Sequence, residues 1–209
     1  PQPIRLREPA ALEAARTQLA GEVNFWKGVQ YLFCQQWKKL KSYANEKGVS
    51  ILGDLPIYTA LDSADVWASP KQFQLDDRGC PTEVAGCPPD AFSEDGQLWG
   101  NPLFDWERMK RDGYQWWLHR VGYQLCLYDA LRIDHFRGFE SYYAIPYGDT
   151  TARNGRWRPG PGLDFFQAVN SALGKQNIVA EDLGFLTPEV HRLLEETGYP
   201  GMKVLEFAF

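Results

Sequence analysis

Three short apolar runs in this chain each end on a carboxylate, and that repeat limits the folds open to it. The clearest case is Ala130-Leu131-Arg132-Ile133-Asp134-His135-Phe136-Arg137-Gly138, where an apolar run over residues 128–133 passes into a dense set of charges. A near-continuous apolar run of that length reads as a strand of a parallel α/β sheet, buried on both faces. Arg132 and Asp134 are two apart, so on a strand they point the same way. A guanidinium beside a carboxylate favours the ionised acid. An ionised acid at the end of a buried strand suits a nucleophile or a charge stabiliser. A structural Arg–Asp pair capping a strand would carry the same residues.

Residues 177–184, Asn-Ile-Val-Ala-Glu-Asp-Leu-Gly, repeat the design with Glu181 and Asp182, and Thr187-Pro188-Glu189 then opens a helix. Residues 49–58 form the third run, ending at Asp54, with Pro56 interrupting the ladder. Asp54 is either a turn-forming residue before a proline or an acceptor for a substrate hydroxyl. Consecutive parallel strands that each deliver an acid at the C-terminal end place those acids where barrel enzymes carry their chemistry. Two carboxylates in different environments are what glycoside chemistry requires.

The segments between these runs supply the helices. Residues 8–21 are Ala-rich and helical, closed by Gly21. Residues 23–47 form a long amphipathic helix whose Phe25, Val29, Leu32, Phe33, Trp37, Leu40 and Tyr43 recur at helical spacing and are assigned mainly to the core. Further helices are predicted over 107–127, 163–173 and 187–197, and a last strand over 202–209. Alternating helices and strands imply a parallel sheet with right-handed crossovers. No Gly-x-Gly-x-x-Gly follows a strand and no phosphate loop is present, which weighs against a dinucleotide fold.

Two stretches break the alternation. Residues 59–106 are rich in Asp, Pro and Gly, and an insert that long is functional or disordered. Its aromatics, Trp67, Phe73, Phe92, Trp99, Phe104 and Trp106, argue for an ordered, stiff loop over an active site. Residues 140–162 read as a second loop, because 155–162 are too rich in Gly and Pro for a helix.

Composition narrows the partners. A net charge of −5 argues against a nucleic-acid backbone, and no apolar run reaches the length of a membrane span. No basic-then-apolar leader opens the chain, so a cytoplasmic location is expected. The chain has 8 Trp and 10 Tyr, whose rings suit the C–H faces of sugars but are also consumed by large cores. None of the four cysteines sits in a C-x-x-C pair, which argues against a zinc cage. Cys34 and Cys126 read as core residues. Cys80 and Cys87 flank a loop that a disulfide would close, although nothing else points to an oxidising compartment.

Taken together, residues 51–58 (Ile-Leu-Gly-Asp-Leu-Pro-Ile-Tyr), 62–67, Pro88-Pro89-Asp90, 96–102, 132–139, 155–162, 180–184 and 200–209 resemble the 4-alpha-glucanotransferases, also called amylomaltases or disproportionating enzymes, which are relatives of the alpha-amylases. The resemblance runs from about residue 22 to the end. It implies an α/β fold, a partial (β/α)8 TIM barrel of about four central β/α units (strands 3 to 6), with residues 59–106 as a loop subdomain inserted after the first strand present. Residues 1–209 would be a fragment of that catalytic barrel.

The implied reaction is a retaining transfer of alpha-1,4-glucan segments between maltooligosaccharides, starch or glycogen-derived glucans, through a covalent glycosyl-enzyme. By the same resemblance Asp134 is the nucleophile, Glu181 the general acid/base, and Arg132 the residue that orients the nucleophile. Asp54, Asp90, Trp99, Asn101 and Asp182 fall in substrate-contacting or supporting motifs. Trp99 lies in a mobile loop that shields the intermediate from water. No cofactor, metal, nucleic acid or membrane is implied, and in a plant the location would be the plastid. Retention predicts carboxyl groups about 5–5.5 Å apart.

Two departures from the family pattern stand out. Its third acid, in a His-Asp motif on a later strand, has no counterpart here, so the isolated chain is expected to be inactive and to belong to a protein roughly two to three times as long. Glu206 stands where the family has Gln, an extra carboxylate facing the sugar site. Two other readings remain: an alpha-glucan hydrolase of the amylase type, and a non-catalytic glucan-binding relative.

Overall fold

The computed structural model describes residues 2–91, 93–184 and 186–207. Helices α1 (Gln2–Arg5), α2 (Pro9–Gln18) and α3 (Ala20–Glu46) open the chain. Strand β1 (Leu52–Leu55) follows, then α4 (Ala64–Ala68), β2 (Glu83–Cys87), β3 (Gln97–Pro102), α5 (Trp106–Arg111) and α6 (Gln115–Leu127). Next come β4 (Ala130–Ile133), β5 (Ser141–Pro146), β6 (Arg156–Pro159), α7 (Gly162–Leu173), β7 (Ile178–Ala180) and α8 (Pro188–Thr197).

The class is mixed α/β with a parallel sheet. Strands β1, β4 and β7 form that sheet in the order β1-β4-β7, all parallel. These are the three runs that end on acids. Their burial alternates, however. Leu55, Leu131, Ile133, Ile178 and Ala180 face the core, while Leu52 is 55% exposed and Asp54 is exposed on the other side. The sheet is therefore covered on one face only among the described residues, not on both as the apolar runs predict. Gly53 is required on the covered face, because a Cβ there would lie 2.2 Å from the ring of Tyr128.

The fourth expected strand is not one. Residues 201–204 are irregular and Leu205–Phe207 is a 3-10 turn, while the last two residues lie outside the described residues. The chain still reaches the sheet, since the Ala180 N–H donates to the Pro200 carbonyl at 2.9 Å.

A second sheet replaces the two predicted loops. It is antiparallel in the order β3-β2-β5-β6, drawing two strands from residues 59–106 and two from residues 140–162. Strand β2 gives little sign of itself, since Val84, Ala85 and Gly86 are all buried and show no alternation. Strand β6 is framed by Gly and Pro and is recognisable only by its partner, with Tyr143 opposite Trp157. The sheet is clamped by Glu83, whose carboxylate accepts from Arg156 at 2.8 Å and Arg158 at 3.0 Å. Phe92, expected to order the insert, lies outside the described residues.

Helix boundaries shift for identifiable reasons. Gly21 lies inside α3, and the break falls at Leu19 instead (φ −102°, ψ 19°). One exposed glycine costs a long helix only about 1 kcal/mol. The helix expected over 107–127 is two, interrupted where Gly113 (φ +70°) and Tyr114 (φ +59°) turn left-handed. Tyr114 is held there by burial of its ring and by its hydroxyl, which donates to Asp164 at 2.7 Å.

Aromatic side chains fill the core between the parallel sheet and helices α5, α6 and α7. Phe104, Trp106, Trp117, Phe136, Phe139, Phe165 and Phe166 pack ring against ring there. Helix α3 contributes no buried residue. Phe25, Leu32, Phe33 and Leu40 on its predicted core face are exposed, as is Cys126, and Cys34 is half-buried. Among the described residues, polar bonds tie down the C-terminal half of α3. Trp37 donates to the Leu127 carbonyl at 2.8 Å, and Lys41 reaches both the Tyr128 carbonyl and Asp129. All four cysteines are free thiols, so the loop between Cys80 and Cys87 is not closed by a disulfide.

Candidate active site

Strand register decides which acids meet. Asp54 pairs with Arg132, Leu55 with Ile133, and Ile133 with Ala180. The next residues of β4 and β7, Asp134 and Glu181, therefore leave the sheet side by side at its C-terminal edge. The ladder continues past both: Asp134 N–H donates to the Leu55 carbonyl (3.1 Å), Glu181 N–H to Ile133 (2.9 Å) and Phe136 N–H to Glu181 (3.2 Å).

Arg132 joins two of the acids. One terminal nitrogen lies 2.6 Å from Asp54 and the other 2.8 Å from Asp134, while its Nε reaches the Met202 sulfur at 3.2 Å. Burial alone would lower the pKa of this guanidinium, but its hydrogen bond to Asp54 and the charge of Asp134 outweigh that and raise it. Asp54 and Asp134 are 60% and 41% exposed, so these ion pairs add little to stability. What they do is fix where the Asp134 carboxylate points.

Glu181 is held by backbone. Its Oε2 accepts the His135 N–H at 2.8 Å and its Oε1 the Leu183 N–H at 2.9 Å. The carboxylate is thus anchored to the residue that follows Asp134. Asp182 turns the other way. It accepts the Met202 N–H, and a Cβ at Gly201 would lie 2.1 Å from its Oδ2. Asp182 thereby ties residues 200–202 to the end of β7 and brings Met202 against Arg132. Glu206 is exposed in the turn beyond.

Two cavities open at this edge. The smaller, about 200 Å³, is lined by Ile57, Tyr58, Trp99, Asn101, Asp134 and His135. Asn101 is positioned by donating to the Thr59 carbonyl at 2.9 Å, and the Trp99 indole donates to Gln97 at 2.9 Å. The larger, about 510 Å³, is bounded by Pro88, Asp90, Gln97, His135, Arg137, Trp157 and Leu183, among others. Asp90 caps its own loop, accepting the Ser93 N–H at 2.8 Å. Asp54, Arg132, Asp134 and Glu181 thus gather at the sheet edge, Trp99 and Asn101 join Asp134 in the small cavity, and Asp90 lies on the wall of the large one. Among the described residues no three or more His, Cys, Asp or Glu side chains gather as a metal site requires.

His135 is common to both cavities, and no sequence pattern singled it out. It is left-handed (φ +52°), an uncommon conformation for a residue with a Cβ, and so turns the chain from β4 into the 3-10 turn Phe136–Phe139. Its ring meets Trp99 edge-on at 4.9 Å. Its Nε2 is buried with no hydrogen-bond partner among the described residues. Burial, reinforced by the charge of Arg137, pushes its pKa down to about 4, so it is neutral near pH 7. Burial likewise raises the Cys87 thiol to about 11, against the pull of Arg137. Tyr58, Arg137 and Trp157 also went unassigned in the sequence. Tyr58 and Arg137 lie just past the ends of β1 and β4, whereas Trp157 is brought to the site by the pairing of β6 with β5.

Comparison with known proteins gives a consistent picture. A family model described as 4-alpha-glucanotransferase matches residues 1–209. The 4-alpha-glucanotransferase of Streptococcus pneumoniae is 56% identical over 205 residues, which is 98% of this chain and 41% of that protein. The chloroplastic/amyloplastic 4-alpha-glucanotransferase of Solanum tuberosum is 49% identical over 209 residues, all of this chain and 36% of that protein. A solved amylomaltase from Streptococcus agalactiae in complex with acarbose superposes with a TM-score of 0.97 at 44% identity, over all of this chain and 42% of that one. The chain thus spans about two fifths of the length of these relatives.

Proposed function

Because the chain belongs to the 4-alpha-glucanotransferase family, we propose that the full protein is a retaining 4-alpha-glucanotransferase acting on maltooligosaccharides and starch-like glucans. The observation that carries this reading is the register Ile133↔Ala180, which sets Asp134 and Glu181 next to each other with Arg132 bonded to Asp134.

In this reading Asp134 attacks the anomeric carbon of the donor sugar. Glu181 gives its proton to the departing 4-oxygen, leaving a glycosyl ester on Asp134. Glu181, now a base, takes the proton of an incoming 4-hydroxyl. That oxygen bonds to the anomeric carbon, and Asp134 leaves as a carboxylate. Asp54 accepts a hydroxyl of the donor sugar, with Trp99, Asn101 and Asp90 around it, and Asp182 supports the strand end. Transfer instead of hydrolysis requires water to be kept from the ester. Tyr58 and Trp99 over Asp134 suit that task.

The three parallel strands are read as consecutive units of a (β/α) barrel. The solvent-facing side that carries Asp54 and Arg132 would then be the barrel interior. Residues 59–106, with β5 and β6, form the cover over its C-terminal end. The protein would work in the cytoplasm, or in the plastid of a plant.

The test is product analysis with the full protein. Maltotriose should yield glucose together with both longer and shorter glucans. Glucose and maltose alone would mean an amylase-type hydrolase. No turnover would mean a glucan-binding relative. The 209-residue chain by itself should not disproportionate maltose, and measurable turnover by it would show that the described acids suffice.

A further inference from the structure

The chain between β1 and α4 carries Tyr58 to the smaller cavity, beside Asp134. It does so without the support of the sheet. The pairing of β1 with β4 stops at Leu55, whose carbonyl accepts the Asp134 N–H at 3.1 Å. The next two carbonyls are taken by one side chain from α6. Arg120 donates from Nη2 to the Pro56 carbonyl at 2.8 Å and from Nη1 to the Ile57 carbonyl at 3.3 Å. Its guanidinium lies over the rings of Trp117 and Trp116, 4.9 and 5.3 Å from their centroids. Burial pushes its pKa down to about 10, against the pull of Asp65, so it is still a cation near pH 7.

A buried cation bonded only to carbonyls is a costly way to fill space, and an apolar side chain would pack there at a lower desolvation cost. What an apolar side chain lacks is the fork. Two charged donors in one rigid plane fix two successive carbonyls relative to each other. On the opposite side Ile57 is buried against Gly138, where a Cβ would lie 2.7 Å from the Ile57 Cδ1. Residues 56 and 57 are thus gripped between α6 and the turn that follows Asp134. That grip sets the place of Tyr58, whose ring lies 6.1 Å from Trp99, 6.2 Å from Phe104 and 6.4 Å from His135. The adjoining Thr59 carbonyl holds Asn101.

We propose that Arg120 is a positioning residue for the transfer reaction: by holding the Pro56 and Ile57 carbonyls it keeps Tyr58 over Asp134, and so keeps water from the glycosyl ester. This rests on the retaining-transferase reading. In the competing step water passes a proton to Glu181, its oxygen bonds to the anomeric carbon, and Asp134 leaves as a carboxylate. Arg120 touches none of these atoms and acts through the backbone that carries Tyr58.

The experiment gives maltotriose to the full protein and reads the ratio of transfer to hydrolysis. Hydrolysis adds a reducing end and transfer adds none, so reducing ends count the first and glucans longer than maltotriose count the second. The ratio does not depend on how much protein is folded, so a loss of stability alone leaves it unchanged. Arg120→Met, which keeps the apolar stem, should lower it about tenfold. Arg120→Lys, which keeps the charge and loses the fork, should lower it about threefold, and it carries the test if Arg120→Met does not fold. Added to Tyr58→Ala, either change should lower the ratio by less than about twofold further, because the ring it positions is gone. An unchanged ratio in the Arg120 variants would overturn the proposal. So would equal falls with and without the Tyr58 ring, which would mean that Arg120 acts by another route. A wild-type protein that yields only glucose and maltose would overturn the transferase reading, and the proposal with it.

Discussion

The two sheets of this molecule are built from different kinds of information. The parallel sheet carries charge: Asp54, Arg132, Asp134 and Glu181 stand at the ends of three strands, each announced by its own short apolar run. The antiparallel sheet carries shape: Trp99 and Trp157 reach the site from strands that look like loops until they are paired. Reacting groups need a fixed position relative to one another, which adjacent parallel strands supply through register. A binding wall needs surface, which two distant segments can build together. The contrast predicts that damage to the first sheet stops the reaction, and that damage to the second weakens its grip on sugar.

The largest effect should come from the proposed nucleophile. Asp134→Asn in the full protein should lower transfer on the order of 10³-fold or more. It should leave binding of maltooligosaccharides within a few-fold, as measured by calorimetry. Retained turnover would move the chemistry away from the parallel sheet.

Next comes Glu181→Gln, with a loss of roughly 10²–10⁴-fold on maltotriose. The first-turnover burst of fluoride from a maltosyl fluoride donor should suffer far less, because that leaving group needs no proton. Equal losses in the burst on both donors would deny Glu181 its proposed role as acid.

Gly53→Ala tests whether the first sheet tolerates any shift. The added Cβ meets the Tyr128 ring, and overpacking of this kind costs about 1–3 kcal/mol. Denaturant unfolding would read this as a lower midpoint. An unchanged midpoint would mean that β1 and Tyr128 yield easily.

The smallest effect concerns His135 at the junction. Its folded pKa of about 4 lies below the roughly 6.5 of an unfolded histidine. The unfolded chain therefore takes up the proton first. The contribution of His135 to stability is complete above about pH 6.5 and is lost as the pH falls toward about 4. An imidazole titration followed by NMR should show a midpoint near 4. A midpoint near 6.5 would mean that the two cavities are open to water at this point.

A second contrast lies within the apolar surface. The rings of Phe104, Trp117 and Phe139 are enclosed, whereas Phe25, Leu32 and Phe33 on α3 stand in solvent. The periodicity that predicts a core face is equally good in both places. It records that a residue stripe is apolar, not what covers it. The chain spans about two fifths of its relatives' length. Among the described residues the C-terminal half of α3 meets α6, Tyr128 and Asp129.

The sequence by itself determined the three parallel strands, the acids at their ends and the family, because each rests on a few consecutive residues with a local physical signature. An apolar run followed by Asp or Glu is such a signature, and so is the two-residue spacing that lets Arg132 meet Asp134. Tertiary structure alone decided the rest. It set Asp182 against the turn at Gly201, where it accepts the Met202 N–H. It placed His135 between two cavities through a single left-handed residue, and it brought Trp157 to the site through its pairing with Tyr143. Those placements depend on which backbone groups bond across dozens of residues, and long-range hydrogen bonding leaves no mark on the order of neighbouring side chains.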